Sequence, residues 1–433
     1  MNKILEVKEF DMITCHRDYQ HHKKYKYLEE KTFRELISFI HDYRHSGNGA
    51  DILDFMKIIY QRHFGEIISI QNFVGIIELK SGFQIQILPK ISFDTDDEDN
   101  RLTRAIFIRM LKSMKNFPGK DFQDANLKTA AMNIYEIFIN MYLQQVTLLV
   151  KRGIQSDYLN REENQHYYKG KLLMNKHIIH NLVHKERFYI SYDEFLPDRP
   201  ENRIIKATLL KLQKVSSHTE NIKKIKQLLN AFDMVQPSFH YVQDFARVQI
   251  NRQTKSYEAI IQWSKIFLCN QSFTVFSGDN KAKALLFPME TVYESYVAKK
   301  IKAALGPSGW EISLQDQGHY LFDMPDHKFA LRPDIVCRKG HRTIIMDTKW
   351  KSLINDERAN YGIKQEDMYQ MYAYSKKYHA HEIWLLYPMN QAMKNHAPIY
   401  FDSGDGTLVK VYFIDLAHIE QTMINLQQQI ENA

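Results

Sequence analysis

Several features are scarce or missing in this chain of 433 residues, and each absence excludes a class of protein. The three cysteines, Cys15, Cys269 and Cys337, lie far apart and form no CxxC pair, which argues against a zinc site or a disulfide framework and favours a reducing cytoplasm. The first ten residues contain no apolar run of signal-peptide length. The most apolar long stretch, Ile134 to Val150, carries Glu136 and several amides, so it predicts a buried helix and no membrane span.

The chain also lacks the GxxxxGK[ST] sequence of P-loop proteins, so we expect that it binds no nucleotide itself. Neither a repeat nor a low-complexity tract is present. Hydrophobic residues make up 44% and aromatic residues 12%, which indicates a globular chain with a sizeable core. The formal charge of +7 is compatible with a polyanionic partner but is too small for this length to identify one.

The order of local patterns predicts an α+β multidomain protein. Its length suggests two or three domains. We predict an N-terminal mixed α/β region over 1–150, a helix-rich middle segment over 151–280 and an α/β domain over 281–433. The last boundary falls at the loop-forming run Ser277-Gly278-Asp279-Asn280, after which helices and strands alternate.

The N-terminal region contains a predicted β-hairpin. Phe73 to Leu79 and Phe83 to Leu88 have strand character, and Ser81-Gly82 forms the turn between them. Gln84 and Gln86 alternate with apolar residues, so one face of the second strand is expected to be solvated. We predict helices over 31–43, 102–117 and 127–150, and a solvated acidic loop over 94–99.

In the middle segment, His177, His180 and His184 share one face of a predicted helix. Their spacing permits a metal site, but no carboxylate or cysteine lies beside them in the sequence. A basic, partly exposed helix face is the favoured interpretation.

The stretch from Ala330 to Trp350 carries the most chemistry. It predicts two antiparallel strands joined by the turn Arg338-Lys339-Gly340-His341. In that register Cys337 pairs with Arg342, and Asp334 becomes the diagonal neighbour of Asp347. Lys349 lies on the same face as Asp347, because side chains alternate along a strand.

This grouping of two carboxylates and a lysine suits the hydrolysis of phosphodiesters. Carboxylates hold Mg²⁺, which polarises the phosphate and activates water. A lysine beside the metal orients the water and offsets developing negative charge. A surface hairpin with an ordinary Asp–Lys ion pair is the alternative, since short PD and DxK matches are frequent.

Flanking helices supply accessory residues. Glu294 lies on the apolar stripe of a predicted helix over 289–305, where a carboxylate is costly unless it is paired or binds a metal. Gln370 and Tyr374 share a face of a predicted helix over 363–378. A strand from Glu382 to Tyr387 follows.

The order of these motifs resembles the PD-(D/E)XK nuclease superfamily: Glu294 on a helix, Pro333-Asp334 and Asp347-Thr348-Lys349 on a hairpin, Gln370 and Tyr374 on a second helix. The whole chain resembles the McrC family, the nuclease subunit of McrBC-type restriction systems. That second resemblance rests on four stretches between about residues 70 and 390: Ile87-Leu88-Pro89-Lys90-Ile91, Lys169-Gly170-Lys171-Leu172, Asp193-Glu194-Phe195 through Asp198 to Asn202-Arg203, and Leu331-Arg332-Pro333-Asp334-Ile335.

The resemblance implies a cytoplasmic, Mg²⁺-dependent endonuclease that cuts double-stranded DNA as a type IV-like restriction enzyme. It implies a McrB-like AAA+ GTPase as partner, a hexameric ring on which the N-terminal region docks and whose GTP hydrolysis it stimulates. The expected catalytic residues are Asp334, Asp347, Lys349, Glu294 and Gln370, with Asp334, Asp347 and Glu294 as metal ligands. Two alternatives stay open: a non-catalytic activator of the ring, and a stand-alone DNA repair nuclease.

Overall fold

The structure, a computed structural model, describes residues 4–19, 25–45, 55–62, 65–91, 100–115, 117–120, 132–269, 283–324 and 326–432. Contacts group these residues into two compact units. The first contains the described residues of 4–120 and 283–432, and the second contains 132–269. The three-part division into 1–150, 151–280 and 281–433 stays a prediction.

The helices in chain order are α1 (Glu30–His45), α2 (Arg101–Leu111), α3 (Ile134–Arg152), α4 (Met174–Asn181), α5 (Pro200–Val215), α6 (Thr219–Ala231), α7 (Tyr241–Arg247), α8 (Glu258–Cys269), α9 (Met289–Leu305), α10 (Gln365–Tyr378) and α11 (Ile419–Asn432). The strands are β1 (Ile4–Lys8), β2 (Met12–Thr14), β3 (Tyr25–Tyr27), β4 (Met56–Gln61), β5 (Gly65–Ile70), β6 (Phe73–Glu78), β7 (Gln84–Leu88), β8 (Asp157–Gln165), β9 (Lys171–Leu172), β10 (Phe188–Leu196), β11 (Lys283–Pro288), β12 (Glu311–Leu314), β13 (Tyr320–Phe322), β14 (Lys328–Ala330), β15 (Ile335–Lys339), β16 (Arg342–Thr348), β17 (Glu382–Pro388), β18 (Ile399–Asp402) and β19 (Leu408–Ile414).

Most of the predicted elements are present. The hairpin of β6 and β7, the helices α1, α3, α9 and α10 and the strand β17 form close to where the patterns indicate. Helix α2 ends at Leu111, earlier than predicted. The acidic loop over 94–99 and the predicted helical start at 127–131 lie outside the described residues. Among the described helices, none combines the length and apolar character needed to cross a membrane.

The first unit contains a four-stranded sheet in the order β1-β7-β6-β11, in which β1 runs parallel to β7 and the other pairs are antiparallel. Gly75 in β6 lies against β11 so closely that an added Cβ would be 1.9 Å from the carbonyl oxygen of Leu285. Its φ of 145° also favours glycine. A second sheet, β3-β2-β5-β4, and α1 share one hydrophobic core with this sheet.

The predicted solvated face of β7 is wrong. Gln84 is 5% exposed and Gln86 is fully buried. Gln86 has a polar partner in the neighbouring strand β1, because Glu6 accepts a hydrogen bond from its side-chain amide, and α2 contacts β7. Alternation with glutamine predicted a solvated face, but tertiary contacts bury both glutamines, and β1 supplies a polar partner for Gln86.

A six-stranded mixed sheet forms the other part of the first unit, in the order β12-β15-β16-β17-β19-β18. The central strands β16, β17 and β19 are parallel, whereas β12, β15 and β18 add antiparallel edges. The apolar runs of β16 and β17 are almost wholly buried, as expected for parallel strands. Residues of α10 pack with these strands in one hydrophobic core, and α10 borders the site described below.

The second unit combines a helical group with a small sheet, β8-β10-β9, which packs with α4. Of the three predicted helix-face histidines, His177 stacks on Phe188 and His180 stacks on Tyr189, and His184 lies beyond the end of α4. Groups of three His, Cys, Asp or Glu side chains that could hold a metal do not occur among the described residues.

Glu136 in α3 joins three parts of the second unit by hydrogen bonds: α3, the turn after α5, and α6. Its buried carboxylate accepts bonds from Ser216 Oγ at 2.8 Å, from the Ser217 N–H at 2.6 Å and from Asn221 Nδ2 at 2.7 Å. We expect Glu136→Ala to lower the free energy of unfolding of this unit by about 3 kcal/mol, since it leaves several buried donors unpaired. Urea denaturation followed by circular dichroism tests this, with exposed Glu258→Ala as control, and equal stabilities of the two variants would contradict it.

Candidate active site

The hairpin of β15 and β16 carries the two predicted catalytic aspartates, and its register differs from the predicted one. Lys339 pairs with Arg342, so the turn consists of Gly340 and His341 alone. Gly340 has a φ of 58°, which suits the short turns that join antiparallel strands. The predicted four-residue turn, with Cys337 opposite Arg342, is therefore wrong, because the glycine allows a tighter connection.

The register is shifted by two residues, and the alternation of side chains is unchanged because the period of a strand is also two. Ile335 pairs with Met346, and one step further along the hairpin Asp334 comes opposite Asp347. The structure thus brings both aspartates to one face as direct neighbours, whereas the prediction made them diagonal ones. Directly opposite residues have Cβ atoms about 4.5–5.5 Å apart.

Asp334 is held at the end of β16 by Thr348. Its Oδ2 accepts a hydrogen bond from the backbone N–H of Thr348 at 2.7 Å and another from Thr348 Oγ1 at 2.6 Å. Burial raises the pKa of the Asp334 carboxyl, and the two bonds from Thr348 counteract part of that rise. Thr348 was not among the predicted site residues.

Asp347 is only 3% exposed. Burial, followed by the negative charge of Asp334, raises the pKa of Asp347 to about 7, although Lys349 counteracts both. Asp347 is a buried carboxyl whose pKa is raised by the neighbouring, partly buried Asp334, so a cation is stabilising here because positive charge relieves both the burial and the repulsion.

Lys349 lies among acidic and amide groups. Its Nζ is 2.8 Å from Asp347 Oδ2 and 3.6 Å from Asp367 Oδ1, and it donates a hydrogen bond to Gln370 Oε1 at 3.3 Å. Burial alone would lower the pKa of Lys349, but the neighbouring aspartates outweigh it and the pKa is raised. The ammonium group therefore stays charged beside Asp347.

Helix α10 contributes a row of polar side chains to this face. Gln370 donates from Nε2 to Tyr374 Oη at 2.7 Å, and burial raises the pKa of Tyr374 to about 12. Asp367 also accepts a bond from Lys351 Nζ at 3.1 Å. Sequence reasoning missed Asp367, although its position three residues before Gln370 puts it on the same helix face.

Glu294 in α9 reaches the site through a residue that the sequence did not indicate. Gln315 donates from Nε2 to Glu294 Oε1 at 2.6 Å, and its backbone N–H donates to the carbonyl oxygen of Asp334 at 2.8 Å. Burial and the charge of Asp334 raise the pKa of Glu294. Gln315 follows β12 in a loop with a φ of 48°, and no local pattern marks it.

The predicted three-carboxylate metal set is not assembled in the described part of the chain, because no group of three metal-binding side chains occurs there. Asp334 and Asp347 form a pair, and Glu294 is bonded to Gln315 instead. Mg²⁺ commonly binds to one or two protein carboxylates and completes its octahedron with water and phosphate oxygens. A buried Asp347 with the charge of Asp334 beside it fits such an ion.

Comparisons with known proteins agree with one another. The family model of the McrBC 5-methylcytosine restriction system component matches residues 68–388. The fold is similar to that of a chain in a refined half-complex from a tetradecameric assembly of Thermococcus gammatolerans McrB AAA+ hexamers with bound McrC. The TM-score is 0.70 and the sequence identity is 20%, and the match covers 99% of this chain and 100% of the other. A cryo-EM structure of the Thermococcus gammatolerans McrBC complex matches with a TM-score of 0.48 and 20% identity over 70% of this chain and 88% of the other. The comparison with curated proteins gave no match.

The family match and the fold define the class of the protein: it is a component of a restriction system. More specifically, the chain belongs to the family of the McrBC 5-methylcytosine restriction system component, since the match covers well over half of its length. The predicted membership of the McrC family is confirmed.

Proposed function

We propose that this chain is the DNA-cleaving subunit of a McrBC-like, GTP-dependent restriction system, with a PD-(D/E)XK-type site at Asp334, Asp347 and Lys349. One observation carries the proposal: the buried Asp347 and the partly buried Asp334 lie close together at the end of a hairpin, and the Lys349 ammonium lies 2.8 Å from Asp347. Elements on either side, α9 with Glu294 and α10 with Gln370, follow the motif order of that nuclease superfamily.

The residues of the site divide the work of hydrolysis. Asp334 and Asp347 would hold Mg²⁺, which when bound supplies a Lewis acid for the phosphate and lowers the pKa of a water molecule. Lys349 provides a positive charge and hydrogen-bond donors for the attacking water and for the charge that develops on the phosphate. Gln370 accepts a bond from Lys349 Nζ and so orients it, while Thr348 fixes the carboxylate of Asp334.

A McrB-like AAA+ GTPase is the proposed partner, in the form of a hexameric ring whose GTP hydrolysis this chain stimulates. The support is the similarity over 99% of the chain to a structure that contains McrB AAA+ hexamers with bound McrC. The chain has no P-loop sequence of its own, which fits a division of labour in which the partner hydrolyses GTP. Double-stranded DNA is the proposed substrate, and Mg²⁺ the proposed cofactor.

Plasmid cleavage tests the proposal. Supercoiled plasmid is incubated with Mg²⁺, GTP, the AAA+ partner and either wild type, Asp347→Asn or the control Asp402→Asn, whose side chain is exposed and far along the chain from the hairpin. We expect wild type and Asp402→Asn to cut, and Asp347→Asn to leave the plasmid intact because the metal loses one of its two ligands.

GTP turnover is measured in the same mixtures. All three proteins are expected to raise it equally, because Asp347 has no part in the proposed contact with the ring. Cleavage by Asp347→Asn at the wild-type rate would overturn the site. Unchanged GTP turnover together with separate elution of the two proteins would overturn the partner, and stimulation without cleavage by wild type would mean a non-catalytic activator.

A further inference from the structure

Glu9 is a buried carboxylate that links the N-terminal sheet to the end of the site strand β16. It follows β1 directly and has no exposed surface. Both of its carboxylate oxygens accept from the indole N–H of Trp350 at 3.1 Å, and one also accepts from the backbone N–H of Lys90 at 3.0 Å. The Glu9 N–H in turn donates to the carbonyl oxygen of Leu88 at 3.0 Å, so Glu9 is fixed from both sides.

A carboxyl group at this position costs free energy, because it is buried and its hydrogen-bond donors are neutral groups that stabilise its charged form only in part. Burial and, to a smaller extent, the charge of Glu290 raise the pKa of Glu9 to about 8, although the bonds from Lys90 and Trp350 counteract part of the rise. An apolar residue of similar size would fill a buried position at lower cost. The presence of a carboxylate here therefore points to a task that its two directed hydrogen bonds perform.

Trp350 is the residue next to Lys349, and its side chain contacts α9, whereas that of Lys349 contacts α10. Its ring packs on Tyr293 of α9 with 5.2 Å between the ring centroids, and it is 6% exposed. The backbone N–H of Lys349 donates to the carbonyl oxygen of Leu386 in β17 at 3.0 Å. Lys349 is thus held by β17 through its backbone and by the anchored indole of its neighbour.

We propose that Glu9 is a positioning residue of the cleavage site: by anchoring Trp350 it holds Lys349 against Asp347. The proposal rests on the function proposed above, and it gives the first ten residues a role in DNA cleavage. The contact joins residues 341 apart in the chain. It also connects the hairpin to the loop at Leu88-Pro89-Lys90, one of the stretches that resemble the McrC family, because the Lys90 N–H bonds to the same carboxyl group that holds Trp350.

The test compares Glu9→Ala and Glu9→Gln with the control Glu6→Ala in the full-length protein with its partner. Glu6 lies on β1, which Glu9 follows directly, and has hydrogen bonds to Gln86, Asn100 and Arg104, but none to Trp350. We expect Glu9→Ala to slow single-turnover plasmid cleavage about 10–100-fold, because small displacements of a catalytic group have effects of that size. The KM for DNA should stay unchanged. Glu9→Gln should recover most of the rate, since its amide oxygen still accepts from the indole.

A second readout needs neither metal nor cleavage. Hydrogen–deuterium exchange is followed by mass spectrometry on peptides that cover Met346 to Lys351. Glu9→Ala is expected to speed exchange at the Thr348 and Lys349 amides at least 10-fold, and Glu6→Ala and Glu9→Gln to leave it near the wild-type rate.

The two readouts separate this proposal from the proposed function. Unchanged exchange over 346–351 in Glu9→Ala overturns the positioning role, and so does cleavage by Glu9→Ala at the wild-type rate. Faster exchange in a protein whose wild type never cuts DNA supports the anchoring of the strand and overturns the proposed cleavage function instead. If Glu6→Ala slows cleavage as much as Glu9→Ala does, the effect comes from the stability of β1, and the positioning role is again overturned.

Discussion

Lys349→Ala is expected to lower the single-turnover rate of plasmid cleavage by about 10²–10³-fold, the usual effect of removing one group that stabilises charge in a transition state. The ammonium of Lys349 lies 2.8 Å from Asp347 Oδ2 and donates to Gln370 Oε1, so it lies beside a carboxylate proposed to hold Mg²⁺. Its loss also removes the positive charge that holds down the pKa of Asp347. The rate of Lys349→Ala should therefore recover partly as the pH rises above 8.

Lys351 supplies a matched control for this experiment. It is two residues further along the chain and carries the same charge. Both lysines approach Asp367: Lys351 Nζ lies 3.1 Å from Asp367 Oδ2, and Lys349 Nζ lies 3.6 Å from Asp367 Oδ1. Because no contact joins Lys351 to Asp347, we expect Lys351→Ala to change the rate by less than about 10-fold. Equal losses in the two variants would mean that the site needs general positive charge and no particular lysine.

The second large effect concerns stability. Without a metal, Asp347→Asn should be more stable than wild type at pH 8, by at most about 4 kcal/mol, and about equally stable near pH 4. The pKa of Asp347 is raised from 3.8 to about 7 in the folded chain. Between these values the folded state holds a proton that the unfolded state has lost, so stability falls as the pH rises through this window and is constant above it.

Chemical denaturation in EDTA at pH 5, 6, 7 and 8 measures this difference between the two proteins. Asparagine has the shape of the protonated carboxyl and no charge to bury. The free energy of unfolding of Asp347→Asn should therefore lack the decrease with rising pH that Asp347 causes in wild type. Asp402→Asn serves as the exposed control. A difference between Asp347→Asn and wild type that does not change with pH would contradict the raised pKa. Saturating Mg²⁺ should restore much of the lost stability to wild type only.

The parts of the fold that the sequence predicts well are those with strong local patterns. Helix α9 begins at Met289 and ends at Leu305, as its apolar stripe and the following Gly306-Pro307 indicate. The shared face of Asp334, Asp347 and Lys349 could be predicted because it depends only on the alternation of side chains, which the two-residue register error left unchanged. Local periodicity is enough for such features.

Contacts between distant parts of the chain have no such local signal. Gln84 and Gln86 are buried, and Gln86 bonds to Glu6 of β1, neither of which the sequence of β7 reveals. The bond between Glu9 and Trp350 spans 341 residues. Gln315 reaches Glu294 from a loop after β12. In each case a polar side chain found its partner through the tertiary fold, and only Asp367 could have been found from spacing along its helix.

The sheet β1-β7-β6-β11 has a consequence for the synthesis of the protein. Its last strand, β11, begins at Lys283, roughly 200 residues after β6 ends at Glu78. At a translation rate of about 5–20 residues per second, the ribosome needs about 10–40 s to make that interval. During this time the edge of β6 has no strand beside it, and open edges of this kind recruit strands from other chains. A newly made chain therefore leaves this edge of β6 unpaired until residue 288 has left the ribosome.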